Sequence, residues 1–252
     1  MFDETLCKGF GECERRDPLA IHRDEHGTHV NHAAINDPGK LRNICPSRAL
    51  TVAGENKSTD ELLKEIEKDI PFYQGSNGGV TLSGGEPLAQ GDEMVALLSE
   101  LKKRKIDVAV ETSLHVSWMN IERCLGQVGT WLVDLKHTDE TKFRLYTEGN
   151  IGLVLENIRK LAGRNVNMII RIPVIPEFNH SEVEIRNIID FAASLNHIRE
   201  IHFLPYHKLG TKKYAMLGMN YTFGPQKAVA DIELTGYIEY ARDKGFIARI
   251  GG

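Results

Sequence analysis

Nothing in the 252-residue sequence approaches the roughly 18 consecutive apolar residues that a membrane-spanning helix requires. The opening MFDETLCKGF has neither a basic stretch nor an apolar one of the kind that directs secretion. Both absences set the expectation of a cytoplasmic protein with no membrane partner. An excess of either charge is missing too. The 31 Lys and Arg against 35 Asp and Glu give a net charge of −4, so no average field draws the chain toward nucleic acid or an anionic surface. Cysteine is scarce, with four residues at Cys7, Cys13, Cys45 and Cys124, too few to staple a fold of this size. Three of them fall in the first 45 residues, which makes metal ligation the first question to ask of that region. No internal repeat or low-complexity tract is present. What remains is ordinary globular composition, 41% hydrophobic and 26% charged, long enough for one large domain with a small appendage.

Residues 1–57 are polar, rich in His, Asp and Asn, and without sustained helical periodicity, and they read as the appended module. Ser58-Thr59-Asp60-Glu61 then offers a capping box ahead of Leu62, Leu63, Ile66 and Ile70, which predicts a helix start. Over 58–252 strand-like runs recur at 79–83, 108–112, 130–136, 166–174, 200–206 and 246–250. Helical patterns separate them at 92–104, 117–126, 150–162, 181–195 and 227–244. Near-continuous apolar strands alternating with amphipathic helices predict an α/β chain with a parallel sheet, open or closed into a barrel. In either form ligands bind beyond the carboxyl ends of the strands.

Those ends are where the polar residues gather. Gly84-Gly85-Glu86 follows the first run, Glu111-Thr112 closes the second, Asp134 and Lys136 close the third, Arg171 lies in the fourth, and His207 follows the fifth. The two glycines let backbone groups approach a ligand, and Glu86 supplies an acceptor for a cationic group. Glu111 and Asp134 suit a metal ion or an ammonium, whereas Lys136, Arg171 and His207 suit a carboxylate or phosphate. A ligand carrying both an amino group and a carboxylate fits the set. The plainer alternative makes Asp134 and Lys136, two apart on one strand face, an interior ion pair.

The strings GGVTLSGGEPLAQ (78–90), ETSLHV (111–116), LVDLKHTD (132–139), RIPVIPEFN (171–179) and HFLPYHKLG (202–210) resemble the radical S-adenosylmethionine activases of glycyl-radical enzymes, most of all the pyruvate formate-lyase activating group. The resemblance implies a partial (β/α)6 TIM-like barrel, here lacking its first strand, that binds S-adenosylmethionine against a [4Fe–4S] cluster. It further implies a pyruvate formate-lyase-like glycyl-radical enzyme as partner and a flavodoxin or ferredoxin as electron donor. By the family pattern Gly84, Gly85 and Glu86 hold the methionyl amino group. Glu111, Thr112, Asp134, Lys136, Arg171 and His207 line its carboxylate, an associated cation or the ribose side. The family often has Asp where Glu111 stands.

The Cys-x3-Cys-x2-Cys that ligates the family's cluster does not occur in the sequence. The expectation is a truncated chain, inactive as it stands, with a non-catalytic S-adenosylmethionine- or partner-binding remnant as the alternative. A third reading makes Lys136 the Schiff-base nucleophile of a cluster-free lyase. Many relatives also carry a ferredoxin-like insert, of which residues 1–57 look like a degenerate version. Laid on its Cys-x2-Cys-x2-Cys-x3-Cys-Pro spacing, Cys7 and Cys13 leave Phe10 and Asp17 in cysteine positions, and Cys45-Pro46 leaves Leu41, Pro38 and Ile35 there. Cys7, Cys13 and Cys45 with a non-cysteine ligand are the only route to an accessory cluster. His22, His26, His29 and His32 read as part of a polar hairpin, because no helical period places two imidazoles on one face. Cys124 reads as a small buried apolar residue.

Overall fold

The computed structural model describes residues 1–221 and 227–251. They form two compact units, one of Met1–Asn56 with His207–Lys227 and the other of Lys57–Tyr206 with Ala228–Gly252. The boundary expected after residue 57 took no account of His207–Lys227, which packs with the first unit.

The first unit opens with a short helix, α1 (Glu12–Arg16), and a hairpin of β1 (Ile21–Asp24) and β2 (Gly27–Val30) paired antiparallel from Ile21↔Val30 to Asp24↔Gly27. The turn is fixed by Asp24, whose Oδ1 accepts the backbone N–H of His26 at 2.8 Å and of Gly27 at 3.2 Å. A small apolar core of Ala20, Ile21, Leu41 and Leu50 lies beneath, with Phe2, Ile35 and Ile44 packed against it.

The second unit begins as the capping box predicts. Ser58 accepts the N–H of Glu61 at 3.3 Å and Glu61 accepts that of Ser58 at 2.7 Å, starting α2 (Thr59–Glu67), and α3 (Ile70–Ser76) follows. The chain then alternates through β3 (Gly79–Leu82), α4 (Asp92–Lys103), β4 (Asp107–Thr112), α5 (Trp118–Glu122) and β5 (Thr130–Asp134). Helices α6 (Glu140–Thr147) and α7 (Ile151–Ala162), β6 (Met168–Val174), α8 (Glu182–Ala193) and β7 (Glu200–Pro205) come next. Helix α9 (Leu209–Met216) lies in the first unit, and α10 (Thr235–Asp243) and β8 (Ile247–Ile250) complete the second. The six strands make one parallel sheet in the order β3-β4-β5-β6-β7-β8, so each neighbour in sequence is a neighbour in space.

Every strand-like run of the sequence is a strand. The helix predicted over 227–244 is shorter, because Ala230 is extended, Asp231–Leu234 is a 3-10 turn, and the α-helix starts only at Thr235. No helix among the described residues is long and apolar enough to cross a membrane.

Period-two alternation sorts the sheet. Val108, Val110, Trp131, Val133, Met168, Ile170, Ile172, Ile201 and Phe203 share one face and all are buried, with α4 against β4 and α10 against β8. Each such side chain contributes roughly 1.5–3 kcal/mol of transfer free energy. The other face carries Glu111, Asp134, Arg171, Glu200 and His202.

Candidate functional site

Arg171 organises the polar face. Register sets it beside Asp134 on β5 and His202 on β7. Its Nε donates to Asp134 Oδ1 at 2.8 Å, its Nη2 lies 2.7 Å from the same oxygen, and its Nη1 donates to Glu111 Oε1 at 2.5 Å. The guanidinium side chain is 10% exposed, against 31% for Glu111 and 21% for Asp134, so the cation is the most enclosed member. Burial opposes its charge, but Asp134 and Glu111 outweigh that and hold its pKa above the ordinary arginine value. Glu111 also accepts the Ser83 hydroxyl at 2.5 Å, and this bond together with Arg171 holds its carboxyl below the usual glutamate range despite burial. Lys136 Nζ stands 3.9 Å from Asp134 Oδ2, the pairing that the plainer sequence reading allowed.

A second group lies at the end of β3. Glu86 receives Thr112 Oγ1 at 2.7 Å on one oxygen, and Ser113 N at 2.9 Å and Ser113 Oγ at 2.8 Å on the other. Thr112 lies on the opposite strand face from Glu111 and acts as a donor to Glu86. Before Glu86 the chain passes through Gly84, at φ +125°, and Gly85. An added Cβ at either meets nothing within 4 Å, so open space lies over this backbone, as a ligand cradle requires. A fourth, longer bond comes from the Leu88 N–H at 3.4 Å, by which Glu86 caps the 3-10 turn Pro87–Gln90.

Loops around these ends are pinned by buried amides. Asn179 accepts the N–H of Ile175 at 2.7 Å and donates to the carbonyls of Lys136 and Pro173 at 2.7 Å each. Asn157 donates to the carbonyls of Leu114 and Val116 at 2.9 Å, holding Leu114 at φ +54°.

Of the predicted residues, the structure gathers Glu111, Asp134, Lys136 and Arg171 on one face and Gly84, Gly85, Glu86 and Thr112 at the end of β3. His207 is exposed and belongs to the first unit. The histidine in register with Arg171 is His202, buried and bonded to Glu200 Oε1 at 2.8 Å. Ser83, Ser113 and Asn179 were missed. The first two sit inside the strings SGGEP and ETS, whereas an asparagine before His180-Ser181 looks only like a turn residue.

In the first unit Cys7, Cys13 and Cys45 line a single hollow with Lys8, Phe10 and Thr28. Cys7 Sγ is 3.5 Å from Thr28 Oγ1 and Cys45 Sγ 3.5 Å from Ser47 Oγ. Burial pushes the Cys13 thiol up, and the neighbouring Cys45 and Cys7 add to it. For Cys45, burial is outweighed by the Ser47 hydroxyl and by the backbone N–H groups of Leu50, Ala49 and Ser47, and its pKa falls below the ordinary thiol value. The polar hairpin expected of the histidines is present, and it brings two imidazoles together. Cross-strand register pairs His22 with His29, their rings stack at 4.9 Å, and Asp24 Oδ1 lies 2.9 Å from His29 Nε2.

Fold and side chains together define an α/β protein with a parallel sheet that carries a mixed-charge face. Residues 43–190 match the radical SAM superfamily, and the chain belongs to it. Its relatives are activating enzymes of glycyl-radical enzymes. It is 33% identical over 242 residues to the choline trimethylamine-lyase activating enzyme of Oleidesulfovibrio alaskensis, covering 93% of this chain and 78% of that one. It is 41% identical over 197 residues to the isethionate sulfite-lyase activating enzyme of the same organism, where the match covers 77% of this chain and only 63% of the relative. Among solved structures, a domain of pyruvate-formate lyase-activating enzyme from Bacteroides vulgatus superposes with a TM-score of 0.59 at 30% identity, covering 69% of this chain and 99% of that one. Members of the superfamily use S-adenosylmethionine and a [4Fe–4S] cluster.

Proposed function

We propose that the second unit is the S-adenosylmethionine-binding part of a glycyl-radical enzyme activase, built as a partial barrel and working in the cytoplasm. The observation that carries this is the open backbone over Gly84-Gly85 next to a carboxylate already oriented by Thr112 and Ser113. In this reading Glu86 and the glycine backbone take the methionyl amino group, and Lys136, one-third exposed, takes the carboxylate. Arg171, engaged by Glu111 and Asp134, positions those carboxylates. S-adenosylmethionine supplies, when reduced, a 5′-deoxyadenosyl radical able to abstract hydrogen from a glycine. The partner is a glycyl-radical enzyme of the pyruvate formate-lyase kind, and a flavodoxin or ferredoxin is the electron donor. Residues 1–56 descend from a ferredoxin-like insert.

The residues present fit S-adenosylmethionine but not the cluster that would reduce it, because these 252 residues contain no Cys-x3-Cys-x2-Cys. That observation favours the second reading for these residues taken alone, binding without reductive cleavage. The Schiff-base reading lacks support, since Lys136 is one-third exposed beside Asp134 and not enclosed by apolar groups.

Isothermal titration with S-adenosylmethionine tests the site. Glu86→Gln and Lys136→Ala are expected to weaken binding about ten- to a hundredfold, the worth of one charge-assisted hydrogen bond. His26→Ala, on the exposed hairpin turn, is expected to leave it unchanged. Equal losses in all three variants, or no binding by the parent chain, would overturn the assignment.

A further inference from the structure

The three cysteines of the first unit are separated by up to 38 residues, yet they face one hollow. Where two Cys-x2-Cys-x2-Cys-x3-Cys-Pro runs occur together, the first three cysteines of one run share a cluster with the fourth of the other. On this sequence that rule joins positions 7, 10, 13 and 45 into one site and positions 35, 38, 41 and 17 into another. All three surviving cysteines belong to the first site, and none belongs to the second.

The two sets meet on one small core, since Cys13 and Cys45 also pack against Leu41 and Leu50, but they differ in what else surrounds them. Around the first, Cys7, Cys13, Cys45 and Phe10 still line an open hollow. At the second, three of the four positions carry hydrocarbon. Leu41 is 2% exposed in the apolar core with Ile21 and Leu50, and Ile35 packs against it. Pro38 opens a 3-10 turn (Pro38–Leu41), while Asp17 caps the chain ahead of β1, its Oδ1 accepting the Ala20 N–H at 3.3 Å. A chain with no use for either cluster would have no reason to fill one site and leave the other hollow.

We propose that Cys7, Cys13 and Cys45 hold one cuboidal iron–sulfur cluster through three thiolates, in its three-iron [3Fe–4S] form, with Phe10 at the corner where a fourth thiolate is missing. This rests on the ferredoxin-like part of the proposed reading and not on S-adenosylmethionine binding, so either can fail alone. Phe10 is 53% exposed, and a cysteine there disturbs little packing.

The test is anaerobic reconstitution of the full chain with ferrous iron and sulfide, followed by desalting, titration with ferricyanide as the electron acceptor, metal and sulfide analysis, and electron paramagnetic resonance of the oxidised protein. The parent and Cys124→Ser are expected to retain about three irons and about four sulfides per chain with a paramagnetic oxidised cluster. Cys45→Ser is expected to lose most of the iron. Phe10→Cys is expected to rise to about four irons, silent when oxidised and paramagnetic when reduced. Iron no higher in the parent than in a Cys7→Ser, Cys13→Ser, Cys45→Ser triple variant would overturn the proposal. So would zinc held in place of a cluster, or a Phe10→Cys chain with the parent's iron content and spectrum.

Discussion

Removing the guanidinium from Arg171 isolates two carboxylates that the fold brings together only because the cation lies between them. In Arg171→Met the hydrocarbon stem is roughly kept, while Glu111 and Asp134 lose their shared partner. Breaking a fully buried pair from one side costs about 3–5 kcal/mol. Here the two acids retain 31% and 21% side-chain exposure, so water screens them and about 2–3 kcal/mol is the expected cost. At this chain length each kcal/mol moves the melting temperature by about 2–4 °C, giving a drop of roughly 4–12 °C. Two compact units need not melt together, but both tryptophans, Trp118 and Trp131, lie in the second, so their fluorescence reports the unit that contains Arg171. The pH dependence is the sharper check. Glu111 has a folded pKa lowered by Ser83 and Arg171, so its stabilisation is present above the ordinary glutamate value and is lost as pH falls through the lowered one. The gap between parent and variant is therefore largest near neutrality and narrows in acid, where Glu111 protonates and no longer needs the cation. A gap below about 0.5 kcal/mol, or one that is constant from neutral pH to acid, would refute the electrostatic argument and reduce Arg171 to a packing residue.

Why the sheet was legible and its interior only partly so follows from what a sequence encodes. Runs such as TWLVD and MIIRIPV carry the apolar density of a buried strand, and their few polar residues, Thr130, Asp134 and Arg171, all fall on the face opposite Trp131 and Ile170. Alternation thus assigns Glu111, Asp134 and Arg171 to one surface. It does not say that Arg171 reaches Glu111 on β4 across the intervening β5, because that depends on side-chain length and sheet twist. The same limit applies to His202 and His207. The strand-end position favoured His207, while register put His202 beside Arg171. The pairing of two imidazoles within the expected hairpin was missed because only a helical period was applied to them. His22 and Asp24 are two apart on one strand, and a two-residue turn returns His29 opposite His22. Asn157 and Asn179 had no signal at all, since a buried amide that pins a loop is written with the same letter as an exposed turn residue. The family strings mark Gly84, Gly85 and Glu86 more sharply than the pattern does, and the ferredoxin-like spacing marks Cys7, Cys13 and Cys45, which the fold sets around one hollow.

Other outcomes follow from the same geometry. Asn179→Ala is expected to cost about 2–4 kcal/mol by the same fluorescence melt, since it strands the Ile175 N–H and releases the Lys136 and Pro173 carbonyls. Loss under 1 kcal/mol would mean that water replaces the amide. Native thiol titration of the metal-free chain at neutral pH is expected to count three reactive cysteines, Cys45 fastest. Cys124, fully buried with its pKa pushed up to about 11, reacts only on unfolding, and a fourth fast thiol would contradict its burial. Incubated anaerobically with S-adenosylmethionine and a strong reductant, the 252-residue chain is expected to yield no 5′-deoxyadenosine above a protein-free control, and product above that control would show that another cluster can replace the missing Cys-x3-Cys-x2-Cys. The two glycines of the cradle separate backbone geometry from ligand contact. Gly84 stands at φ +125°, a region essentially closed to other residues, so Gly84→Ala is expected to cost about 1–3 kcal/mol of stability although its methyl would touch nothing. Gly85 has no such conformation and equally open space, so Gly85→Ala is expected to leave the melt within about 0.5 kcal/mol of the parent. Its methyl would occupy the volume assigned to the methionyl group, and titration is expected to show S-adenosylmethionine binding weakened at least tenfold. A Gly85→Ala chain that melts and binds like the parent would place the ligand elsewhere on the sheet, even if Gly84→Ala behaves as expected.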